Sequence, residues 1–420
     1  MKDRSKHRLS NGARPVQQIE VSESNVKKRV IAMIIFLAIG VTALGFFVHS
    51  LLSTEPGWAQ IEVNAAGVSC GEDFIFNYYL GGGEESATNE KKQLTALYSA
   101  AAVKAYKLFD RYSGYDGVNN IYYINTHVGE TVKVDKILYK AFELLEEKGS
   151  RYLYFGPLYA EYINMYFSEG SLSSEDNDPY IDPEFAAIFA EMAAYACDEE
   201  AIKLELLGDD KVRLNVSTKY LSYAEENGIE VFIDFFRAKN AFIIDYLADT
   251  MIENGFTRGS ISSYDGYVRN LDSGDGEYSL NLFDKNGDYI YNTATMTYQG
   301  RRAIVSLRSY SMGEKDSYDF HTKLDGTVIT PYIDGSGLYK AATDNVISYS
   351  GDLGCSEVLL EMLSWYIADE FDESALQTMK DAGIYSVWFE GTTICYNDED
   401  IGLKDIYDNE GVKYAPGYVE

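Results

Sequence analysis

From Val30 to Val48 the chain runs for 19 residues, VIAMIIFLAIGVTALGFFV, without a single charged side chain. A helix rising about 1.5 Å per residue crosses roughly 30 Å of hydrocarbon over such a length. The run therefore predicts one membrane-spanning helix over residues 30–49, which divides the chain in two. Lys27, Lys28 and Arg29 stand immediately before it, and the residues just after it carry almost no basic charge. The positive-inside rule then puts residues 1–29 in the cytoplasm and residues 50–420 outside. A cleaved signal peptide is the competing reading, with Gly57-Trp58-Ala59 as a small-x-small cleavage site, although the leading segment and the apolar run are both long for one.

The division also sorts the charge. Residues 1–29 hold eight basic side chains (Lys2, Arg4, Lys6, Arg8, Arg14, Lys27, Lys28, Arg29) against three acidic ones (Asp3, Glu20, Glu23). With that tail at +5, the −30 of the whole chain becomes −35 for everything after it. A surface so acidic repels phosphate backbones, which excludes nucleic-acid binding by the main body. Disorder is excluded too, since 46% hydrophobic and 14% aromatic residues can bury a large core. Cys70, Cys197, Cys355 and Cys395 include no C-x-x-C pair, so no zinc site is expected. In an exported chain they can form disulfides, but the sequence does not pair them. Cys70 follows Gly67-Val68-Ser69, a faint lipoprotein-like box too far beyond the apolar run for that processing, and reads as buried or disulfide-bonded.

Beyond a linker at residues 50–57, apolar periodicity marks out one large mixed domain over residues 58–400, followed by an acidic tail, 401–420. Strand-like runs fall at Trp58–Val63 and Phe74–Leu80, and helical spacing covers Glu90–Asp110, Lys133–Gly149, Glu184–Cys197 and Ala238–Asn254. Gly156-Pro157 opens a further helix, with Pro where its missing N–H costs nothing. Tyr112–Gly129 and Ser168–Pro183 read as loops. Strands are expected at Ile202–Leu207 and Val212–Val216, and Ile229–Asp234 reads as a buried strand. Gly259–Ser311 turns to short β runs broken by Asp-Gly and Asn-Gly turns. Helices at Gly354–Ala368 and Ser374–Ala382 precede a closing strand pair, Ile384–Glu390 and Thr393–Tyr396. Helices and antiparallel segments mix without βαβ regularity, so the fold class is α+β.

Three places carry possible chemistry. His127 and His321 are the two histidines clear of the tail and the membrane edge; a lone His is more often structural, but His321 sits among carboxylates that can raise its pKa and orient it for proton transfer. Glu357 and Glu361 are four apart on one helix, so their carboxylates share a face and can share a hard cation such as Mg²⁺, though a solvated face is the commoner meaning of such a pair. Asp234 ends the buried run at a strand-to-helix turn, whose free N–H groups suit an anion, but Phe235-Phe236-Arg237 supplies no Gly-rich loop. The Tyr-rich loop Tyr112–Tyr123 would also suit a sugar-binding surface, against ordinary packing.

The order of these pieces resembles the FAD:protein FMN transferases, the ApbE-type flavinyl transferases, over roughly residues 60–396. Ala66-Gly67-Val68 with Phe74–Leu80 is similar to that family's Met-Gly-Thr start, Tyr112-Ser113-Gly114-Tyr115 to its Phe-Ser-x-Tyr, and Phe155-Gly156-Pro157-Leu158 to its Val-Gly-Pro-Leu, with Asn125 between. The family's Asp-Leu-Gly-Gly-Ile-Ala-Lys-Gly-x-x-x-Asp falls on Asp234 to Asp245, and Gly-Gly-Asp-Ile-Arg on Tyr264 to Arg269. His-x-x-Asp-Pro falls on His321 to Asp325, and Ala-Asp-Ala-x-x-Thr on Ser356 to Glu361. Letters depart at the paired glycines, which become Phe235-Phe236 or a pair offset by one residue, at Asn240 after Lys239, and at Glu357 and Glu361. The resemblance implies a single ApbE-like domain behind one N-terminal membrane helix, transferring FMN from FAD to a Thr of an acceptor protein with Mg²⁺. By the same resemblance, Ala238 (through its carbonyl), Glu357 and Glu361 would hold the metal. His321 and Asp325 would be catalytic, and Asp234, Lys239 and Asp265 would line the flavin cleft. The substituted letters imply an alternative, an inactive relative that binds flavin or a partner protein at the cell surface.

Overall fold

In the strand Phe74–Leu80, Phe74, Phe76, Tyr78 and Leu80 are buried and the residues between them are not, the period of two that a pleated strand imposes. It pairs antiparallel with Gly57–Ile61 on one side and Gly259–Ser263 on the other. The structure, a computed structural model, describes residues 31, 34–36, 54–64, 73–167, 182–272, 274, 276–313, 316, 320–322, 328–330, 332–333, 341–368, 370–409 and 411–420. Residues 1–54 and 55–420 are separate units, and all that follows concerns the second.

Nine strands make the main sheet, and they lie across it in the order in which they occur in the chain: Gly57–Ile61, Phe74–Leu80, Gly259–Ser263, Tyr267–Asn270, Ala303–Arg308, Asn345–Ser350, Tyr385–Glu390, Thr393–Tyr396 and Ala415–Tyr418. Neighbours run antiparallel until the last pair, which is parallel. Helices therefore enter as insertions between strands. The helix Ala87–Phe109 packs on Lys239–Glu253, and the latter and Cys355–Tyr366 lie on the middle strands. Ala303, Val305 and Leu307 face this large core, while Ile304 and Ile347 join a smaller one on the opposite face with Met296, Tyr298 and Tyr414. The α+β expectation holds, with both faces of the middle strands covered.

Several local expectations change. No strand forms over 229–234: Asn125 donates to the Ile233 carbonyl (2.9 Å) and accepts from Phe232 and Ile233 N–H groups (2.9 Å each), and Asp234 N–H goes to Leu153. Of these residues only Phe232 to Asp234 are buried, and their backbone is satisfied by a side chain and the Leu153 carbonyl instead of a ladder. Within 112–129 a helix, Ile121–Thr126, starts under an Asn120 cap. Thr218–Asn227 is a helix between a Ser217 cap and Gly228 in the left-handed conformation. Residues 401–420, read as a tail, supply a strand to the hairpin sheet at Gly402–Lys404 and the last strand of the main sheet. The proposed membrane run lies outside the described residues except for 31 and 34–36, and among the described residues no helix is long and apolar enough to cross a membrane. Cys197, Cys355 and Cys395 form no disulfide, and Cys70 lies outside the described residues.

The C-terminal segment is tied down where Tyr414 donates to Asp284 (2.9 Å) on the hairpin strand Glu277–Asn286. Burial pushes the Asp284 carboxyl up to about 6, against the opposing pull of the Tyr414 hydroxyl. Its ordinary value is about 4, so between about pH 4 and 6 the folded state binds more protons than the unfolded chain. Its stabilising contribution is thus complete below about pH 4 and is lost as pH rises through about 6. Asp284→Asn should gain on wild type across that window in urea unfolding at fixed ionic strength; a difference independent of pH contradicts the assignment.

Candidate functional site

The turn into the helix Lys239–Glu253 is built around Asp234, which is almost fully buried. Its carboxylate pairs with Arg111 (3.0 Å), a residue at the end of the helix Ala87–Phe109 that is itself buried. Burial pushes the Asp234 pKa up, and the Arg111 guanidinium and the Phe236 and Phe235 N–H groups oppose that. Gly156 packs closely beside it: a Cβ there would stand 3.1 Å from the Asp234 Cβ. The loop thus arrives by way of Arg111, Asn125 and the stretch from Leu153 to Gly156, three separate parts of the sequence.

Past Asp234 the chain makes a short 3-10 turn, Phe236–Ala238, before the helix begins. Phe236 has φ +26°, in the left-handed region that an aromatic residue seldom occupies. Phe235 and Phe236 point to different places. Both lie in the main core, Phe235 against Phe109, Phe142 and Phe242. The Phe236 ring stacks between Tyr152 (centroids 4.3 Å) and Tyr159 (4.5 Å), each inclined by 23°. Ala238 is fully buried and Lys239 half-buried. Asp265, in the turn after Gly259–Ser263, accepts from Asn240 (2.9 Å), the residue that replaces a family glycine. Tyr267 donates to the Arg237 carbonyl (3.2 Å), and burial, with Asp265 nearby, pushes Tyr332 up to about 12.

Asp234, Ala238, Lys239 and Asp265 are therefore gathered at one end of this helix. Arg111, Tyr152, Tyr159, Tyr267 and Tyr332 join them there, and sequence reasoning did not single them out. The abundance of Tyr was the available signal, but it was spread over the whole chain.

The helix Cys355–Tyr366 is held by a different part of the motif. Asp245 accepts from Cys355 N–H (2.8 Å), Ser356 N–H (2.8 Å) and the Ser356 hydroxyl (2.7 Å), and it pairs with the buried Arg269, which also reaches Asp249 (3.1 Å). Gly354 makes room, since a Cβ there would fall 2.5 Å from the Asp245 carboxylate. Glu357 accepts from the Gly354 N–H (2.8 Å) as a capping residue, and Glu361 pairs with Lys148 (2.6 Å) at the half-exposed surface. Among the described residues, no group of three or more His, Cys, Asp or Glu can hold a metal ion. As placed, Glu357 and Glu361 serve a cap and an ion pair and do not fit the metal that the resemblance implies. His321 lies on a two-residue strand opposite Ile329, and Asp325 lies outside the described residues.

No protein-family model matches the sequence. No curated protein matches it either. Solved structures do. An ApbE protein from Thermotoga maritima superposes with a TM-score of 0.54 at 10% identity, over 83% of this chain and 97% of the other. A mutant of the flavin transferase ApbE from Vibrio cholerae gives 0.49 at 12% identity, over 83% and 96%. The apo flavinyl transferase ApbE from Pseudomonas stutzeri gives 0.46 at 13%, over 80% and 92%. The first of these carries the assignment, and it is an assignment of fold. By fold, this chain is a divergent ApbE-like protein.

Proposed function

We propose that the chain is a membrane-tethered relative of the FAD:protein FMN transferases, handling a flavin nucleotide on the outer side of the membrane. The observation that carries this is the gathering of Asp234, Lys239 and Asp265, the flavin-lining positions of the resemblance, at the N-terminal end of one helix in an ApbE-like fold. The helix end offers partial positive charge to a phosphate, and Lys239 adds a full one in an otherwise acidic domain. Residues 30–49 would hold this domain at the membrane, with the basic tail inside.

Two forms of this reading differ in turnover. In the first, FMN passes from FAD to a Thr of an acceptor protein and AMP is released. In the second, flavin is held without transfer, and this form is favoured by Glu357 and Glu361 being engaged as a cap and an ion pair. Incubating the full-length chain with FAD, Mg²⁺ and a Thr-containing acceptor separates them. AMP release with covalent FMN on the acceptor establishes transfer. Saturable quenching of flavin fluorescence without AMP establishes holding. Neither signal, beside an active control transferase, overturns the flavin reading.

A further inference from the structure

Among the described residues, Phe236 alone has a ring stacked face to face on both sides, by Tyr152 and Tyr159. Aromatic neighbours commonly meet edge-on or offset, as Phe235 does with Phe109 (74°) and Tyr78 with Phe256 (76°). Two tyrosine rings, each inclined by 23° to the ring they hold, make a place that a flat ring fills. The backbone gives an independent sign. Phe236 holds a left-handed φ, whereas the other described non-glycine residues that do so are Asp209, Asp210 and Asp405, a residue type that tolerates it in turns. Strain of this sort persists where surrounding structure enforces it, and it gathers at ligand clamps and switches.

The polar surroundings point the same way. Tyr152 Oη, Asp265 Oδ1 and Asn240 Oδ1 are buried with no hydrogen-bond partner among the described residues. Tyr152 Oη is on one wall of the slot, and Asn240 and Asp265 meet in the same helix-start region; unpaired groups of this kind suit a ligand that carries nitrogen or oxygen at its edges.

We propose that Tyr152 and Tyr159 form a binding slot for one planar heteroaromatic ring, a flavin isoalloxazine, and that Phe236 is a built-in gate occupying the slot in the ligand's place. This rests on the flavin reading and adds its regulation: the ligand competes with a side chain of the protein itself. A fraction of molecules with Phe236 swung out is the only fraction able to bind, and the apparent affinity falls by that fraction. Replacing Phe236 with Gly keeps a residue at ease with the left-handed backbone and leaves the slot permanently open.

The test compares the full-length wild-type chain with Phe236→Gly, and with Phe236→Ala should the first fail to fold, by fluorescence titration with FAD, lumichrome and acridone. The expected result is a gain in FAD and lumichrome affinity of about tenfold or more for the open variant, removed again by adding Tyr159→Ala. A folded variant that binds no tighter than a flavin-binding wild type overturns the gate and leaves the flavin reading standing, as does a gain that survives loss of Tyr159. A gain for acridone alone keeps the slot and removes the flavin. No binding of any probe by either protein overturns both.

Discussion

Replacing Asp245 with Ala is expected to destabilise the fold by about 3–5 kcal/mol, the cost of leaving a buried charge without its partner. Arg269 is buried, and its remaining partner, Asp249, has a largely exposed side chain that cannot replace the lost carboxylate. The same substitution removes the acceptor for three donors at the start of Cys355–Tyr366, at a helix end with no other side-chain cap for those N–H groups. Asp245→Asn keeps one oxygen for those donors and should lose less than Ala. Urea unfolding followed by circular dichroism measures both. A loss under about 1 kcal/mol for Asp245→Ala would mean that Arg269 finds another counter-charge.

The second large effect is at Phe236. Phe236→Ala should cost about 3–5 kcal/mol, because the ring is buried and makes two stacking contacts. Phe236→Gly loses the same ring, and in an ordinary position it would be the worse of the two by roughly 0.5–1 kcal/mol. At a left-handed φ the order should invert, with Gly about 1 kcal/mol more stable than Ala, because only Ala retains the clash between Cβ and carbonyl. Equal stabilities, or a more stable Ala variant, would remove the backbone strain from the account.

The sequence carried the fold better than the site, and particular residues say why. Asp245 and Arg269 were aligned to separate motifs, yet they meet as one buried pair that ties the helix Cys355–Tyr366 to the sheet. Asn345–Ser350 escaped the strand reading because it is buried on both faces, which erases the alternation that marks a strand. The helix Thr218–Asn227 was marked by Ser217 and Gly228, a cap at each end, but its weakly apolar face hid it. The slot was not readable at all. Spacing cannot disclose that Phe235 packs among phenylalanines while Phe236, in the same core, packs between two tyrosines. Glu357 and Glu361 share a helical side as expected, but a cap and a lysine, supplied by distant sequence, already engage them.

The most direct test of the central claim, that the Asp234 turn and the two tyrosines form the ring-binding centre, is an experimental structure of the Phe236→Gly chain with FAD bound. The account predicts the isoalloxazine between Tyr152 and Tyr159, with Asp265 at its edge. A flavin seated elsewhere on the domain, with the two tyrosines closed on each other, would contradict it.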